Sequence, residues 1–262
     1  MIRNPGGWMQ IVGRAIWLLA FVILCLGTVW ATAALYIDLP ATNLSLSAAI
    51  LYLVVVLTIL FFFKFRWVSL DWQFEVAEIA WAQIDGDEIT IHNLRNFDYE
   101  PGLPAKPRWE SKSVYLSQLR GVDLFINFWG STLICHPIVS FQFGASDHVA
   151  ISVETRMAKG QTYSTVRGFF KQFELAYIVA DERDVIRVRT NYRHEQLYLY
   201  RTSVKPDRAR RLFIDYLKTV DALHPRPQFY SALTSDCTTN VRMHTAATTA
   251  KPAPWDWRML LN

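Results

Sequence analysis

Two long uncharged segments at the start of this chain constrain its fold more than any other feature. The first contains 23 consecutive uncharged residues, Ala15 to Ile37, and the second is apolar from about residue 44 to 63. A helix needs about 20 apolar residues to cross a bilayer. A buried core helix is less favoured, because such runs are rare in soluble domains. A cleaved signal peptide is also less favoured, because its apolar part is only about 7–15 residues long.

We therefore predict a membrane anchor over residues 1–67, with transmembrane helices at about 15–37 and 44–63, and a soluble domain over 68–262. Positive charges flank both spans: Arg3 and Arg14 precede the first, and Lys64 and Arg66 follow the second. The positive-inside rule taken alone predicts a cytoplasmic soluble domain.

A β-hairpin is predicted over residues 134–154. Strands at 134–143 and 148–154 flank a short turn, and centring the hairpin on Ala145 separates a mostly polar face from an apolar face. Burial fixes this register, since a slip by one residue would mix the two faces. The register places Glu154 opposite His136, within reach of a carboxylate–imidazole hydrogen bond.

Cys237 lies between a polar turn and a helix predicted to extend to about Thr245. A thiol at a helix start is expected to ionise more easily, because it feels the positive end of the dipole. Its polar neighbours favour a reactive site over a buried structural cysteine, and the backbone N–H groups there could form an oxyanion hole. Cys237, His136 and Glu154 are thus the predicted catalytic residues of a thiol acyl-transfer site, with Glu154 orienting the imidazole and favouring its charged form.

The rest of the soluble domain predicts an α+β fold with an antiparallel sheet. Pro206 opens an amphipathic helix, and Ser164 caps a short one. Residues 185–189 are predicted as a strand within the basic stretch 183–193, whose charges indicate a solvated strand face, with phosphate or lipid-headgroup binding as the alternative.

Several classes of site are not expected. The chain has no Cys-x-x-Cys and no His-x-x-x-His pair, so we predict neither zinc nor any other metal or cofactor. The three cysteines form no disulfide framework. We expect no nucleic-acid partner.

Seven short motifs and one histidine, taken in order, resemble the Lnb family of bacterial membrane proteins over about residues 72–262. The motifs are GVDLF (121–125), WGS (129–131), AISVETR (150–156), VADERD (179–184), RTNYR (189–193), CTTN (237–240) and PWDWR (254–258), and the histidine is His136.

The resemblance implies a circularly permuted papain-like fold, related to NlpC-type thiol enzymes. In that fold the histidine strand comes first, a polar residue on the next strand second, and the cysteine last. It also implies lipoprotein N-acylation at the bacterial inner membrane, with the domain in the periplasm. The expected partners are a phospholipid acyl donor, a diacylated lipoprotein acceptor and the membrane itself.

Two other functions remain open at this point. The same residues could transfer the acyl group to water, as in a peptidoglycan amidase or peptidase or a lipid hydrolase. The domain could also be a non-catalytic membrane scaffold in which Cys237 is inert.

Overall fold

The computed structural model describes residues 71–99, 105–129 and 134–250, together with residues 50–59 and the isolated positions 23, 26, 27, 29, 33, 48, 254 and 256. The chain divides into two compact units, Met1–Arg66 and Trp67–Asn262. The second unit contains the whole sheet described below.

In the first unit, residues 50–59 are helical and carry exposed apolar side chains, among them Tyr52 and Leu53. A Cβ added at Gly27 would lie 3.7 Å from the side chain of Val54. Within the described part of the chain, no helix is both long and apolar enough to cross a membrane. Most of the predicted span 15–37 and both ends of the predicted span 44–63 lie outside the described residues, so the two-span anchor stays a prediction.

The second unit contains eight described strands and four α-helices. The strands are β1 (Trp81–Asp85), β2 (Glu88–Arg95), β3 (Trp109–Tyr115), β4 (Leu119–Phe128), β5 (Cys135–Phe143), β6 (Asp147–Arg156), β7 (Glu174–Asp181) and β8 (Leu197–Arg201). The helices are α1 (Thr165–Phe169), α2 (Glu182–Arg187), α3 (Pro206–Leu223) and α4 (Cys237–Ala247), with 3-10 turns at Phe74–Val76 and Leu116–Gln118 and a π-helical turn at Val188–Tyr192.

All eight strands form one sheet, in the order β1-β2-β7-β6-β5-β4-β8, with β3 also paired to β2. Neighbouring strands are antiparallel except β2 and β7, which are parallel. The α+β class and the antiparallel sheet are confirmed. The hairpin register is confirmed too, because Ser140 pairs with Ala150 and Gln142 with His148.

Both faces of the central hairpin are buried. On one face Phe141 packs against Phe213 of α3, with ring centroids 4.9 Å apart. The predicted apolar stripe of α3 is buried in the same cluster. On the other face Ile138 and Ala150 pack with Val185 of α2. The predicted polar face of the hairpin is therefore covered by protein.

The strand predicted at residues 185–189 is wrong, because this segment is helical. Asp181 is the N-cap of α2, its carboxylate accepting a hydrogen bond from the Arg183 amide at 3.0 Å. Helix α2 and the π-helical turn that follows then carry the chain over the sheet. The predicted solvated strand face is wrong as well, because Asp184, Val185 and Arg189 are buried.

A buried ion pair ties α2 to β2. Asp184 is fully buried and accepts hydrogen bonds from the Arg95 guanidinium, from the Phe97 amide at 2.6 Å and from the Tyr99 hydroxyl at 3.3 Å. Burial raises the pKa of the Asp184 carboxyl and outweighs the opposing attraction of Arg95. Removing either charge would leave its partner buried without compensation.

We expect Asp184→Ala to lower the free energy of unfolding by about 3–5 kcal/mol, the usual cost of breaking a buried ion pair from one side. Asp98→Ala is the matched control, because Asp98 pairs with Arg187 at 3.4 Å while both side chains stay about half exposed. That control should cost about 1 kcal/mol or less. Urea unfolding of the full chain in detergent measures both, and equal losses would contradict the role assigned to Asp184.

Candidate active site

A capping box fixes the start of α4 at Cys237. The Asp236 carboxylate accepts a hydrogen bond from the Thr239 amide at 2.7 Å, and the Thr239 hydroxyl accepts one from the Asp236 amide at 2.9 Å. The Asn240 side chain also donates to the Asp236 carbonyl at 2.7 Å. These reciprocal bonds set the first helical position. The predicted placement of Cys237 at a helix start is confirmed.

The thiol itself is buried and protonated. Cys237 is 3% exposed, belongs to the large apolar cluster of the sheet, and donates to the Cys135 carbonyl at 3.9 Å. Burial, followed by the negative charge of Asp236, raises the pKa of the Cys237 thiol to about 12. The expectation of an easily ionised thiol in polar surroundings is wrong, because burial and the capping carboxylate outweigh the helix dipole.

His136 and Glu154 lie on the same face of the sheet, as the hairpin register predicts, but a third residue joins them. The distance from His136 Nε2 to Glu154 Oε1 is 3.9 Å, too long for a hydrogen bond. Ser152 bridges the gap: its hydroxyl oxygen lies 2.7 Å from His136 Nε2 and donates to Glu154 Oε1 at 2.8 Å.

This chain of bonds assigns the tautomer of His136. An ionised carboxylate only accepts hydrogen bonds, so the single Ser152 proton points to Glu154. The Ser152 oxygen must then accept from His136 Nε2–H. Nδ1 is left as the basic nitrogen of the ring, and it is this atom that can take a proton from a nucleophile.

Nearby guanidinium groups set the charge state of the pair. Arg189 lies 3.5 Å from Glu154 Oε1 and 3.2 Å from Glu195 Oε2. Burial alone raises the pKa of Glu154, but attraction to Arg189, with smaller contributions from other positive groups, lowers it to about 2. Burial, then repulsion by Arg189, lowers the pKa of His136 to about 3 despite the attraction of Glu154. Glu154 therefore favours the charged imidazole, as expected, but burial and Arg189 outweigh it.

The three predicted residues line one cleft with a volume of about 210 Å³. Cys237 belongs to the apolar cluster on the α3 face of the sheet, whereas His136 and Glu154 lie on the α2 face. Trp129 lines it as well, its ring stacked on His136 with centroids 5.7 Å apart. Much of the remaining wall is apolar and comes from Val76, Val153, Met157, Tyr163 and Tyr230. At neutral pH the cleft therefore combines a protonated thiol, a neutral imidazole and a carboxylate, beside a surface suited to a hydrocarbon chain.

Sequence patterns missed two residues that support the site. Ser152 lies two residues before Glu154 on the same strand face, a spacing that signals a shared face but no particular bond. Arg189 lies in the segment mispredicted as a solvated strand, because a run of basic residues is typical of an exposed surface. Trp129 belongs to the WGS motif, and its stacking on His136 gives it a role at the site.

Comparison with known proteins gives one match. Residues 105–262 match the family model described as the Lnb N-terminal periplasmic domain, a description that places this domain in the periplasm. The matched residues include Cys237, His136 and Glu154. Neither the curated proteins nor the solved structures contain a match to the chain.

The charge states predict how stability depends on pH. His136 ionises near pH 6.5 when unfolded and near 3 when folded, so acidification below about 6.5 favours the unfolded state, which binds the extra proton. Glu154 adds the same effect below about pH 4.5, because its folded pKa is about 2. Each group contributes a slope approaching ~1.4 kcal/mol per pH unit within its window.

His136→Gln should flatten the loss of stability between pH 6.5 and 4.5, although buried His244, whose pKa burial also lowers, keeps part of it. His148→Gln is the control, because it makes the same substitution at a half-buried histidine of the same strand pair. Urea unfolding at several pH values measures both variants. A wild-type slope in His136→Gln would mean that His136 is not held neutral.

Proposed function

The chain belongs to the Lnb family, and from this premise we propose that it is a membrane-anchored cysteine acyltransferase acting on lipoproteins. It would move an acyl chain from a phospholipid to the α-amino group of the N-terminal cysteine of a diacylated lipoprotein. The observation that carries the proposal is that Cys237, His136 and Glu154 all line one largely apolar cleft.

The fold we assign is a permuted papain-like domain over residues 68–262. Three features support it: an antiparallel sheet, a histidine on β5 followed by a carboxylate on β6, and a cysteine that opens α4 against that sheet. Residues 1–67 would anchor the domain to the inner membrane through two spans, with the domain on the periplasmic side.

In the first step, His136 Nδ1 takes the thiol proton as the Cys237 sulfur attacks the donor ester carbonyl. The new S–C bond forms, the ester C–O bond breaks, and the departing lysophospholipid oxygen receives the proton from His136. The Cys237 amide, at the first position of α4, is the donor we assign to the developing oxyanion. Because the resting thiol is protonated, this step relies on general-base catalysis by a neutral ring.

Donor binding would also strengthen the base. After burial, Arg189 and Arg193 both lower the pKa of His136, and Arg193 lines the cleft. A lipid phosphate beside Arg193 adds a negative charge there, and negative charge favours the protonated imidazole. The base would thus reach its working strength only when the donor is bound.

In the second step, the lipoprotein amine attacks the thioester carbonyl. The N–C bond forms, the S–C bond breaks, and His136 carries the amine proton to the departing thiolate. A thioester divides one difficult transfer into two easier ones. The apolar wall of the cleft would hold the acyl chain and keep water from the thioester, which favours transfer to an amine over hydrolysis.

We expect Cys237→Ala to abolish transfer, because no thioester can form. The direct measurement is the intact mass of the full chain after incubation with phospholipid. Wild-type protein should gain one fatty-acyl mass on Cys237, released by hydroxylamine. Cys135→Ala is the matched control, since it removes a second thiol beside α4 and should still be acylated. An acylated Cys237→Ala protein, or its wild-type rate of lipoprotein acylation, would contradict the mechanism.

We expect graded losses along the hydrogen-bond chain. His136→Ala should lower the rate by about 100-fold or more, the usual contribution of a general acid–base group. Ser152→Ala and Glu154→Gln should be milder, because each disturbs the orientation of the ring without removing it. Single-turnover acyl transfer measures all three, and release of free fatty acid instead of acylated lipoprotein would identify a hydrolase.

A further inference from the structure

Several exposed apolar side chains lie on segments next to one side of the cleft, and one of them, Tyr163, lines it. We call them the apolar rim, and their exposure ranges from 37% for Phe169 to 67% for Val166. Its members are Phe74, Tyr163, Val166, Phe169 and Leu233. Single exposed apolar residues need no explanation, but a group of them beside a cleft marks an interaction surface.

Contacts between three segments make the rim continuous. Gln73, next to Phe74, donates through its amide to the Met157 carbonyl at 2.9 Å and through its side chain to the Gln161 carbonyl at 2.7 Å. These bonds join the first 3-10 turn to the loop that leads to Tyr163. The Tyr163 ring in turn meets the Tyr230 ring edge-on, with centroids 6.5 Å apart.

Helix α1 contributes the remaining part of the apolar rim. A Cβ added at Gly168 would lie 3.4 Å from the Tyr230 ring, and the Ala232 amide donates to the Gly168 carbonyl at 3.3 Å. Leu233 follows directly. Val166 and Phe169 are three residues apart and so share one face of α1. Since Gly168 is buried and both of these side chains are exposed, that shared face points to solvent.

The charges near the rim suit a lipid surface. Residues 157–173 contain three basic residues, Lys159, Arg167 and Lys171, and no acidic residue, while Lys159 pairs with Asp71 at 2.7 Å and Glu75 follows Phe74. Aromatic and aliphatic side chains interspersed with basic ones are typical of segments that lie in the headgroup layer. Basic residues there are attracted to anionic lipids.

The first 3-10 turn of the second unit also belongs to the cleft wall. Gln73, Glu75 and Val76, which flank Phe74 on both sides, line the cleft. This first described segment of the second unit therefore forms part of the cleft wall.

We propose that the apolar rim inserts into the interfacial layer of a phospholipid bilayer containing anionic lipids, so that the cleft opens directly onto its lipid donor. The proposal deepens the function proposed above and rests on it for the identity of the donor. The insertion itself is a binding event and can be measured without any acyl transfer.

The test uses the full chain, with its three native cysteines changed to Ser, reconstituted in vesicles of phosphatidylethanolamine and phosphatidylglycerol. A nitroxide is attached at Val166→Cys or, as a control, at Leu199→Cys on β8, which is 46% exposed. Power saturation then compares collisions with oxygen, which concentrates in the bilayer, and with a water-soluble nickel chelate. We expect the label at position 166 to favour oxygen and the label at 199 to favour nickel.

Equal nickel access at the two positions would overturn the proposal. A label at position 166 shielded from both reagents would overturn it too, because the rim would then be covered by protein, such as a second copy of the chain.

A second arm measures transfer by the double variant Val166→Asp with Phe169→Asp, in a wild-type cysteine background. We expect a loss of roughly tenfold or more with vesicle donors, the fold-change that ~1.4 kcal/mol represents, and no loss with a short, water-soluble ester. The control is Tyr198→Asp with Leu199→Asp, which should lose neither activity. Loss of both activities in the rim variant alone would make the rim structural and refute the proposal. If wild-type protein transfers nothing, the proposed function fails while the depth measurement still decides insertion.

Discussion

The pairing of β5 with β6 is the constraint on which the rest of the structure depends. These strands are covered on both faces, so a slip by one residue would turn His136, Ser152 and Glu154 toward α3 and α4, and their apolar neighbours toward Arg189 and Asp184. Such a slip would bury a histidine and a carboxylate without partners, which costs several kcal/mol. The same register that packs the core therefore also assembles the polar chain of the site.

Neighbouring charges help to explain the protonation states of the site residues. Glu154 remains ionised because Arg189 is close, whereas burial, together with the same guanidinium, keeps His136 neutral. At the other wall, the Asp236 side chain caps α4, and burial, followed by the charge of Asp236, raises the pKa of the Cys237 thiol. Stability and reactivity are thus set against each other at Cys237. A protonated, buried thiol resists oxidation, which suits a cysteine in the periplasm.

Local patterns were sufficient to predict much of this fold and of the site. The hairpin, the proline-initiated α3 and the helix start at Cys237 depend on neighbouring residues, so the sequence alone predicts them. The segment 185–189 is mispredicted because its helix is held by Arg95, a partner 89 residues from Asp184. The pKa shifts could not be predicted because they depend on burial, which the tertiary fold creates. The predicted register places Ser152 on the correct face of the sheet, but only the three-dimensional structure shows which side chains it hydrogen-bonds.

The cleft and its surroundings bear on the choice between amine and water as acceptor. A thioester hydrolyses wherever water reaches it, so an acyltransferase must exclude water while admitting a larger nucleophile. Tyr163 and Tyr230 belong to the cleft wall, and Tyr163 also belongs to the rim, so one set of packed aromatic side chains leads from the Cys237 side of the cleft to the outer surface. If that surface rests in a bilayer, the region outside the cleft is hydrocarbon and headgroup rather than bulk water. Donor and acceptor, both held by the membrane, then arrive at high local concentration.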